Sequence, residues 1–368
     1  MPTSIVVVGP DSMIQGESAQ FTATLLDADA IPISGKRISW YSEDSSAATV
    51  TQAGLVTAIQ PGRCRIRAYI PLVAGTAEVI ISDAAISHHL LMSGPLRGLA
   101  ISGNKGYIPV WNSDSILVLD IAAERRTGVI HTGSPVASIA FNPAGTRAYF
   151  TTDDGKLGAI DAASDSTIGT VSIAPGIDAP LTSADGGTVW VISGFYGRLY
   201  AVNAVTLAVV DSTRIPESSH RLVLNPTLNR LYLTGDIDAV VRELDAGTLV
   251  SLRSWNLGGR PNGMALSLDG TRLFVANGQN WVDEIQLSSG VVSSSVPLPS
   301  GAGDIVLSPD GVWLAVISTP PQIFFLYSST RSMDKTVRIG GQPSGLGYRA
   351  DGTRLLVANF DGWVDFIR

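Results

Sequence analysis

A short turn phrase recurs along this chain from about residue 95 to its end. The clearest copies, at residues 142–150, 267–275 and 349–357, carry Gly-Thr-Arg before a run of apolar and aromatic residues. Aligned on the turn, the copies are spaced by 40, 41, 42, 42, 41 and 41 residues, with markers at Lys105, Gly145, Gly186, Leu228, Gly270, Gly311 and Gly352. A period of about 40 residues built from short strands is typical of a propeller. The repeat therefore predicts seven blades of four strands each.

The last repeat lacks a fourth strand of its own. Its third strand ends at residues 365–368, whereas residues 87–93 precede Gly94-Pro95 as a fourth strand precedes the Gly-x-Pro turn in other copies. We expect residues 87–93 to form the outer strand of the last blade. Such a closure pairs both ends of the propeller and removes an exposed edge strand.

The residues before the repeats form a separate module. A chain of 368 residues exceeds one ordinary domain, and we place the domains at residues 1–84 and 85–368. Seven strand-like segments between residues 3 and 83 predict a small β-sandwich. Phe21 and the single cysteine, Cys64, are expected in its core because each falls on an apolar face. The predicted fold class is all-β.

Charge and hydropathy exclude several classes of function. The net charge is -7, and no Lys/Arg-rich stretch exceeds a few residues, so nucleic acid is not expected as a partner. No apolar run approaches the roughly 20 residues of a membrane-spanning helix. The first residues lack a basic stretch and a long apolar run, so no signal peptide is predicted in the chain. The sequence is therefore compatible with a cytoplasmic protein or with a mature or trimmed form.

The middle strands of the first module resemble a known family. Trp40 and Ser42, the stretches 48–50 and 54–58, Gly62 and the stretch 66–68 follow the pattern of the bacterial immunoglobulin-like domain of group 2. The resemblance implies an Ig-like sandwich with Trp40 in its core. In that family the domain is a spacer or adhesive module of bacterial surface proteins, which implies an extracytoplasmic location, in the periplasm or on the cell surface.

The repeats resemble a second family. Residues 308–311, 273–277 and 355–359 are similar to phrases of the YVTN repeats, and the resemblance extends over residues 87–368. It implies a YVTN-type seven-bladed β-propeller. Propellers host binding and catalysis alike, so the fold alone does not decide the function.

Equivalent positions at the start of each blade's first strand predict a ring of polar side chains at one mouth of the central channel. The polar members of this ring are Arg97, Asp178, His220, Arg221, Asn262 and Asp304. We interpret the ring as the candidate ligand-binding pocket, against the alternative that water alone keeps a channel mouth polar. A calcium site using Asp178 and Asp304 is a further alternative.

An enzyme of the lactonase or cofactor-dependent dehydrogenase type would need clustered carboxylates and histidines. Three of the four histidines, His88, His89 and His131, belong to outer strands, so no three-histidine site is expected at the channel. We therefore expect no catalytic residues, no cofactor and no bound metal.

Trp281 and Trp363 occupy the same position in two blades, since they are separated by two periods of 41 residues. Repetition favours packing between blades, and the alternative is a pair of aromatic anchors for a partner.

The leading hypothesis is a non-enzymatic protein-binding or scaffolding protein, a peripheral subunit of a larger, membrane-associated or membrane-embedded complex. The alternatives are the propeller enzymes named above and cell-surface adhesion by carbohydrate binding.

Overall fold

A computed structural model of the chain describes residues 1–83, 85–235 and 237–368. These residues form β-strands joined by turns and loops, with no helix among them, so the predicted all-β class is confirmed for them. Two compact units are present. Unit 1 comprises Met1–His89, Val337–Gln342 and Arg368, and unit 2 comprises Leu90–Thr336 and Pro343–Ile367. The predicted domain boundary falls on Ala84, which lies outside the described residues, so the limits 1–84 and 85–368 stay a prediction.

Unit 1 contains nine strands in three sheets. The strands are β1 (Ser4–Val8), β2 (Ser12–Ile14), β3 (Ser18–Gln20), β4 (Thr22–Leu26), β5 (Ser39–Ser42), β6 (Ala48–Val50), β7 (Leu55–Ala58), β8 (Gly62–Ile70) and β9 (Val73–Ser82). The sheet orders are β1-β4, β2-β9-β8-β5 and β3-β7-β6. Side chains alternate along β8, where Cys64, Ile66 and Ala68 are buried and the arginines between them face outward. Phe21, Trp40 and Cys64 all lie in the unit's hydrophobic core, as predicted.

Most of the remaining strands are six residues long. They are β10 (Ile86–Leu91), β11 (Ala100–Ser102), β12 (Lys105–Pro109), β13 (Ser115–Asp120), β14 (Arg125–His131), β15 (Val136–Phe141), β16 (Arg147–Thr152), β17 (Lys156–Asp161), β18 (Ser166–Ser172), β19 (Ile177–Thr182), β20 (Thr188–Ser193), β21 (Arg198–Asn203), β22 (Val209–Arg214), β23 (Ser219–Asn225), β24 (Arg230–Gly235), β25 (Val240–Asp245), β26 (Ser251–Asn256), β27 (Pro261–Leu266), β28 (Arg272–Asn277), β29 (Trp281–Gln286), β30 (Val291–Pro297), β31 (Gly301–Leu307), β32 (Trp313–Thr319), β33 (Gln322–Tyr327), β34 (Met333–Arg338), β35 (Pro343–Tyr348), β36 (Leu355–Asn359) and β37 (Trp363–Ile367).

These strands form four-stranded antiparallel sheets. Their orders are β11-β12-β13-β14, β15-β16-β17-β18, β19-β20-β21-β22, β23-β24-β25-β26, β27-β28-β29-β30, β31-β32-β33-β34 and β10-β37-β36-β35. In the last of these, β10 occupies the place of a fourth strand beside β37. The backbone amide of Met92, just after β10, donates to the carbonyl of Gly362 at 2.8 Å.

Tight hairpins between the first and second strands follow from the repeated turn phrase. Gly270 has φ 67°, the left-handed conformation that a glycine adopts without strain. The Asp269 carboxylate fixes the same turn by accepting hydrogen bonds from Ser267 Oγ at 2.6 Å and the Thr271 amide at 3.0 Å. Gly145, Gly186, Gly311 and Gly352 also have positive φ. The repeat is therefore a repeat of hairpins.

Buried apolar residues of unit 2 lie between consecutive sheets. Each first strand contacts the next one along the chain, from β11 and β15 through to β31 and β35, and β35 in turn contacts β11. One cluster joins the first and the last sheet through Leu96, Ile108 and Leu117 on one side and Leu356 and Phe366 on the other. The core of unit 2 is thus a series of layers between sheets.

Candidate functional site

The six polar residues predicted to form a ring all lie at or near the start of a first strand. Arg97 precedes β11, Asp178 lies in β19, His220 and Arg221 lie in β23, Asn262 lies in β27 and Asp304 lies in β31. All six are half-buried.

Two of the six pair with each other. Arg221 Nη2 lies 3.8 Å from Asp304 Oδ2, with 43% and 29% of the side chains exposed. Their strands, β23 and β31, belong to sheets separated by the sheet of β27. Between them, Asn262 Nδ2 donates to the Ala302 carbonyl at 3.2 Å. His220 Nδ1 lies 3.0 Å from the Ser218 carbonyl.

Arg97 and Asp178 make other contacts. Arg97 Nη1 donates to Asp153 Oδ1 at 2.8 Å, and its guanidinium lies 4.7 Å from the centroid of the Trp111 ring. Asp178 Oδ1 accepts a hydrogen bond from the Ala179 amide at 2.7 Å. Of the six residues, Arg221 and Asp304 thus pair with each other, whereas Arg97 contacts Trp111, which is not one of the six.

The contact between Arg97 and Trp111 lies on a surface that the sequence pattern does not predict. In each sheet of unit 2, the loop between the second and third strands lies at the same end as the start of the first strand, because neighbouring strands are antiparallel. We call this end of unit 2 the loop face. Its exposed apolar side chains are Trp111 (46% exposed), Phe195 (79%), Tyr196 (55%), Ile237 (81%) and Phe360 (37%).

Phe195 and Tyr196 form the most prominent part of the loop face. Their ring centroids are 5.0 Å apart at an interplanar angle of 81°, an edge-to-face pair. Two backbone hydrogen bonds hold the loop: the Ser218 amide donates to the Gly194 carbonyl and the Ile215 amide to the Gly197 carbonyl, each at 2.9 Å. Gly197 has φ 58°, and a Cβ at Gly194 would lie 2.3 Å from the Ser219 carbonyl oxygen. The aromatic pair is therefore presented on a backbone that tolerates no other residue at Gly194 without a shift.

A second aromatic pair lies elsewhere on the same face. Trp111 and Phe360 are edge to face with centroids 5.5 Å apart. Because the Arg97 guanidinium lies over the Trp111 ring, one cluster combines a half-buried cation and two aromatic rings. Trp111 and Phe360 do not occupy equivalent positions of their repeats. They therefore give no periodic signal, and the repeat pattern does not predict them.

Trp281 and Trp363 belong to a repeated hydrogen-bonded motif. Trp281 Nε1 donates to Asp283 Oδ2 at 2.9 Å, and Asn277 Nδ2 donates to the same oxygen at 3.2 Å. In the last sheet, Trp363 Nε1 and Asn359 Nδ2 donate to Asp365 Oδ2 at 3.2 and 2.9 Å. The same hydrogen-bonded set of Asn, Trp and Asp thus occurs twice, each time on the second and third strands of a sheet.

Burial separates the two tryptophans. Trp363 is 1% exposed, so it cannot contact a partner directly, and its prediction as a partner anchor is corrected to a role in packing and hydrogen bonding. Trp281 is half-buried and stays a predicted partner residue.

The described part of the chain carries neither a metal-binding cluster nor a membrane-spanning helix. Within residues 1–83, 85–235 and 237–368, no group of three or more His, Cys, Asp or Glu side chains is placed to hold a metal ion. No helix in those ranges is long and apolar enough to cross a bilayer.

Comparison with known proteins bears on both units. Residues 3–79 match the model of the bacterial Ig-like domain (group 2), which confirms the resemblance of the first module. No curated protein matches the chain. Among solved structures, a chain of hydrazine synthase from Kuenenia stuttgartiensis is similar in fold, with a TM-score of 0.68 and 16% sequence identity. The match covers 75% of this chain and 96% of that one. The chain therefore carries a bacterial Ig-like domain and shares a propeller-like fold with a hydrazine synthase chain.

Proposed function

We propose that this chain is a non-enzymatic protein-binding or scaffolding protein, a subunit of a larger assembly that docks a partner on the loop face of unit 2. The observation that carries the proposal is the Phe195–Tyr196 pair, two large exposed aromatic side chains on a loop whose Gly194 and Gly197 carbonyls accept backbone hydrogen bonds.

Physical reasons favour a protein as the occupant of this face. Aromatic residues and arginine are enriched in the cores of protein interfaces and carry much of their binding energy. A loop held by backbone hydrogen bonds loses less conformational freedom on binding, so more of the contact energy becomes affinity. Phe195, Tyr196, Trp111 and Arg97 supply these residue types at one end of the unit.

The second part of the proposal is a closed ring: the four-stranded sheets are the seven blades of a YVTN-type propeller, closed by the strand within residues 87–93. Support comes from contacts between the first and last sheets. The Gly98 amide donates to Ser344 Oγ at 3.4 Å, and a Cβ at Gly345 would lie 2.7 Å from the Cα of Gly98. A closed ring would place all seven loops on one broad face.

The Ig-like domain supports the remainder of the proposal. As a bacterial Ig-like domain it fits a spacer that holds the propeller away from an attachment point, outside the cytoplasm and next to a membrane-associated complex. Hydrazine synthase, one chain of which shares the fold, is an enzyme by name. This chain is proposed to act differently, by binding a partner in an assembly. The channel-mouth residues remain a proposed secondary ligand site.

A comparison of two surface variants tests the proposal. The full-length chain, the double variant Phe195→Ser/Tyr196→Ser and the control Leu268→Ser would each be purified from the source organism after mild cross-linking. Leu268 is 68% exposed and lies in the hairpin between β27 and β28, at the end of unit 2 opposite the loop face. We expect a defined partner with the native chain and the control, and its loss from the double variant. Recovery of the same proteins with all three chains would overturn the proposal.

A further inference from the structure

Leu72 is the most exposed of the large apolar residues that the structure describes in unit 1, slightly more exposed than Met1. Pro71 and Leu72 alone form the turn between β8 and β9, since Ile70 pairs with Val73. Leu72 is 104% exposed and has φ 73°. Proline fixes φ near −65°, so the two residues have the φ values of a type II turn, whose third position favours glycine. A leucine here is unfavourable both for the backbone and for contact with water.

Other leucines with positive φ have a reason to tolerate it. Leu207 has φ 57° and is 8% exposed, and Leu249 has φ 54° and is 2% exposed. Both side chains are buried in hydrophobic clusters, which offsets the cost of the backbone conformation. Leu72 has no such packing. Strain that no packing offsets is evidence for a function of the residue itself.

Along β8, side chains become more polar with distance from Leu72, which forms the tip of the turn. Tyr69 lies three residues back on β8, and its ring is edge to face with Tyr41 at 5.7 Å. Both tyrosines are about two-fifths exposed, at 41% and 40%. Arg67 follows, with its guanidinium 5.8 Å from the Tyr41 ring and 3.7 Å from Glu43. A strand rises about 3.3 Å per residue, so apolar, aromatic and cationic groups occupy successive depths.

The loop between β4 and β5 lies at the same end of the sandwich. Ser39 pairs with Tyr69 in antiparallel register, so the exposed residues Lys36 and Arg37 lie beyond Tyr69, toward the tip. Ile31, 57% exposed, belongs to the same loop. The same loop carries Asp27 and Asp29, so the formal charges of its side chains sum to zero.

We propose that the turn between β8 and β9 inserts Leu72 into the surface of a phospholipid bilayer. Aromatic side chains with a polar group prefer the interface, cations lie near lipid phosphates and apolar groups enter the acyl region. The order Leu72, Tyr69, Arg67 along one strand matches that sequence of layers. A protein pocket could accept the leucine but requires no such order. This inference is independent of the loop face of unit 2.

Vesicle binding of the full-length chain tests it. Sedimentation with phosphatidylcholine and phosphatidylglycerol vesicles would give the lipid partition coefficient of the native chain, Leu72→Gly and the control Leu268→Gly. We expect binding by the native chain and the control, and about a tenfold weaker partition for Leu72→Gly, because one buried leucine side chain is lost. Because charge balances at this end, salt should change the partition by no more than about twofold.

Stability separates a binding role from a structural one. Glycine suits φ 73°, so Leu72→Gly should melt at the same or a higher temperature than the native chain. In Leu72→Trp, the indole emission should shift to the blue when vesicles are added. Failure of the native chain to bind vesicles, equal binding by Leu72→Gly, or no emission shift in Leu72→Trp would each overturn the proposal. Dependence on Leu72 for a protein partner but not for vesicles would likewise overturn it.

Discussion

Trp111 and Phe360 meet edge to face, 5.5 Å apart at 68°, although 249 positions separate them in the sequence. Trp111 follows the second strand of the first sheet, and Phe360 follows the corresponding strand of the last sheet. The two rings therefore join the beginning and the end of unit 2 on the loop face. Below them, Leu96 and Ile108 share a buried cluster with Leu356 and Phe366.

The ring pair should contribute measurably to stability. In a double-mutant cycle with Trp111→Ala and Phe360→Ala, we expect a coupling free energy of about 0.5–1.5 kcal/mol, the range of aromatic pairs. Denaturant unfolding of the four proteins measures it. The matched control pairs Phe360→Ala with Phe195→Ala, which should be additive. Additivity in both cycles would show that the first and last sheets do not interact through these rings.

Asp365 should be far more important than an exposed aspartate. Its carboxylate is 0% exposed and accepts hydrogen bonds from Trp363 and Asn359. Asp365→Ala removes the acceptor of the Trp363 indole N–H and the nearest acceptor of Asn359 Nδ2, whose longer contacts with the Val357 and Trp363 carbonyls remain. Each buried hydrogen bond lost in this way costs about 1–3 kcal/mol. Asp211→Ala, on the exposed strand β22, should cost under about 0.5 kcal/mol. Equal losses of unfolding free energy in the two variants would contradict the hydrogen-bonded motif.

Glu243 is a buried charge held by arginines of its own sheet. It is 3% exposed, it pairs with Arg253, and Arg230 Nε lies 3.6 Å from its Oε1. Breaking a buried pair costs about 3–5 kcal/mol. We expect Glu243→Ala to fall toward the lower end of that range, because the two arginine side chains are 29% and 37% exposed and water can solvate them. The denaturation midpoint measures this loss. A Glu243→Ala variant as stable as the native chain would show that the pair contributes nothing.

Acid should destabilise the hairpin turns. The Ser267 hydroxyl, with the Thr271 amide and hydroxyl, lowers the pKa of Asp269 to about 2. The Ser183 and Ser308 hydroxyls likewise lower the pKa of Asp185 and Asp310. An unfolded aspartate titrates near pH 3.9, so the unfolded chain binds more protons between about pH 4 and about pH 2. The stabilisation is therefore present above that window and is lost as the pH falls through it.

Unfolding measurements near pH 6 and near pH 3 test this pH dependence. Asp269→Asn cannot ionise, so its stability should fall less steeply with acid than that of the native chain. Leu268→Ser, an uncharged change in the same hairpin, should follow the native slope. A native slope in Asp269→Asn would mean that the turn does not favour the ionised carboxylate.

Much of the fold was predictable because the turns repeat. For the fifth repeat the sequence predicts strands at 262–266, 271–276, 281–287 and 291–296, and each observed strand agrees to within one residue at both ends. The signal is strong because Asp-Gly hairpins need positive φ and the apolar runs between them have strand length. The core position of Cys64 also follows from alternation, and that of Trp40 from the resemblance to the Ig-like domain.

The site was less predictable, for geometric reasons. Register places Arg221 and Asp304 at equivalent depths, but only coordinates show that the side chains meet across an intervening sheet. Trp281 and Trp363 are equivalent in sequence, yet one is half-buried and the other fully buried. Phe195 and Tyr196 occur in one loop only, so no period marks them.

Photo-cross-linking from the loop face shows directly whether a protein docks there. A photoreactive phenylalanine derivative would replace Tyr196 in the full-length chain, and Leu268 in a matched control, and both would be irradiated in living cells of the source organism. We expect one dominant protein adduct from position 196 and none from position 268. No adduct from position 196, or the same adducts from both positions, would contradict a protein-binding role for this face.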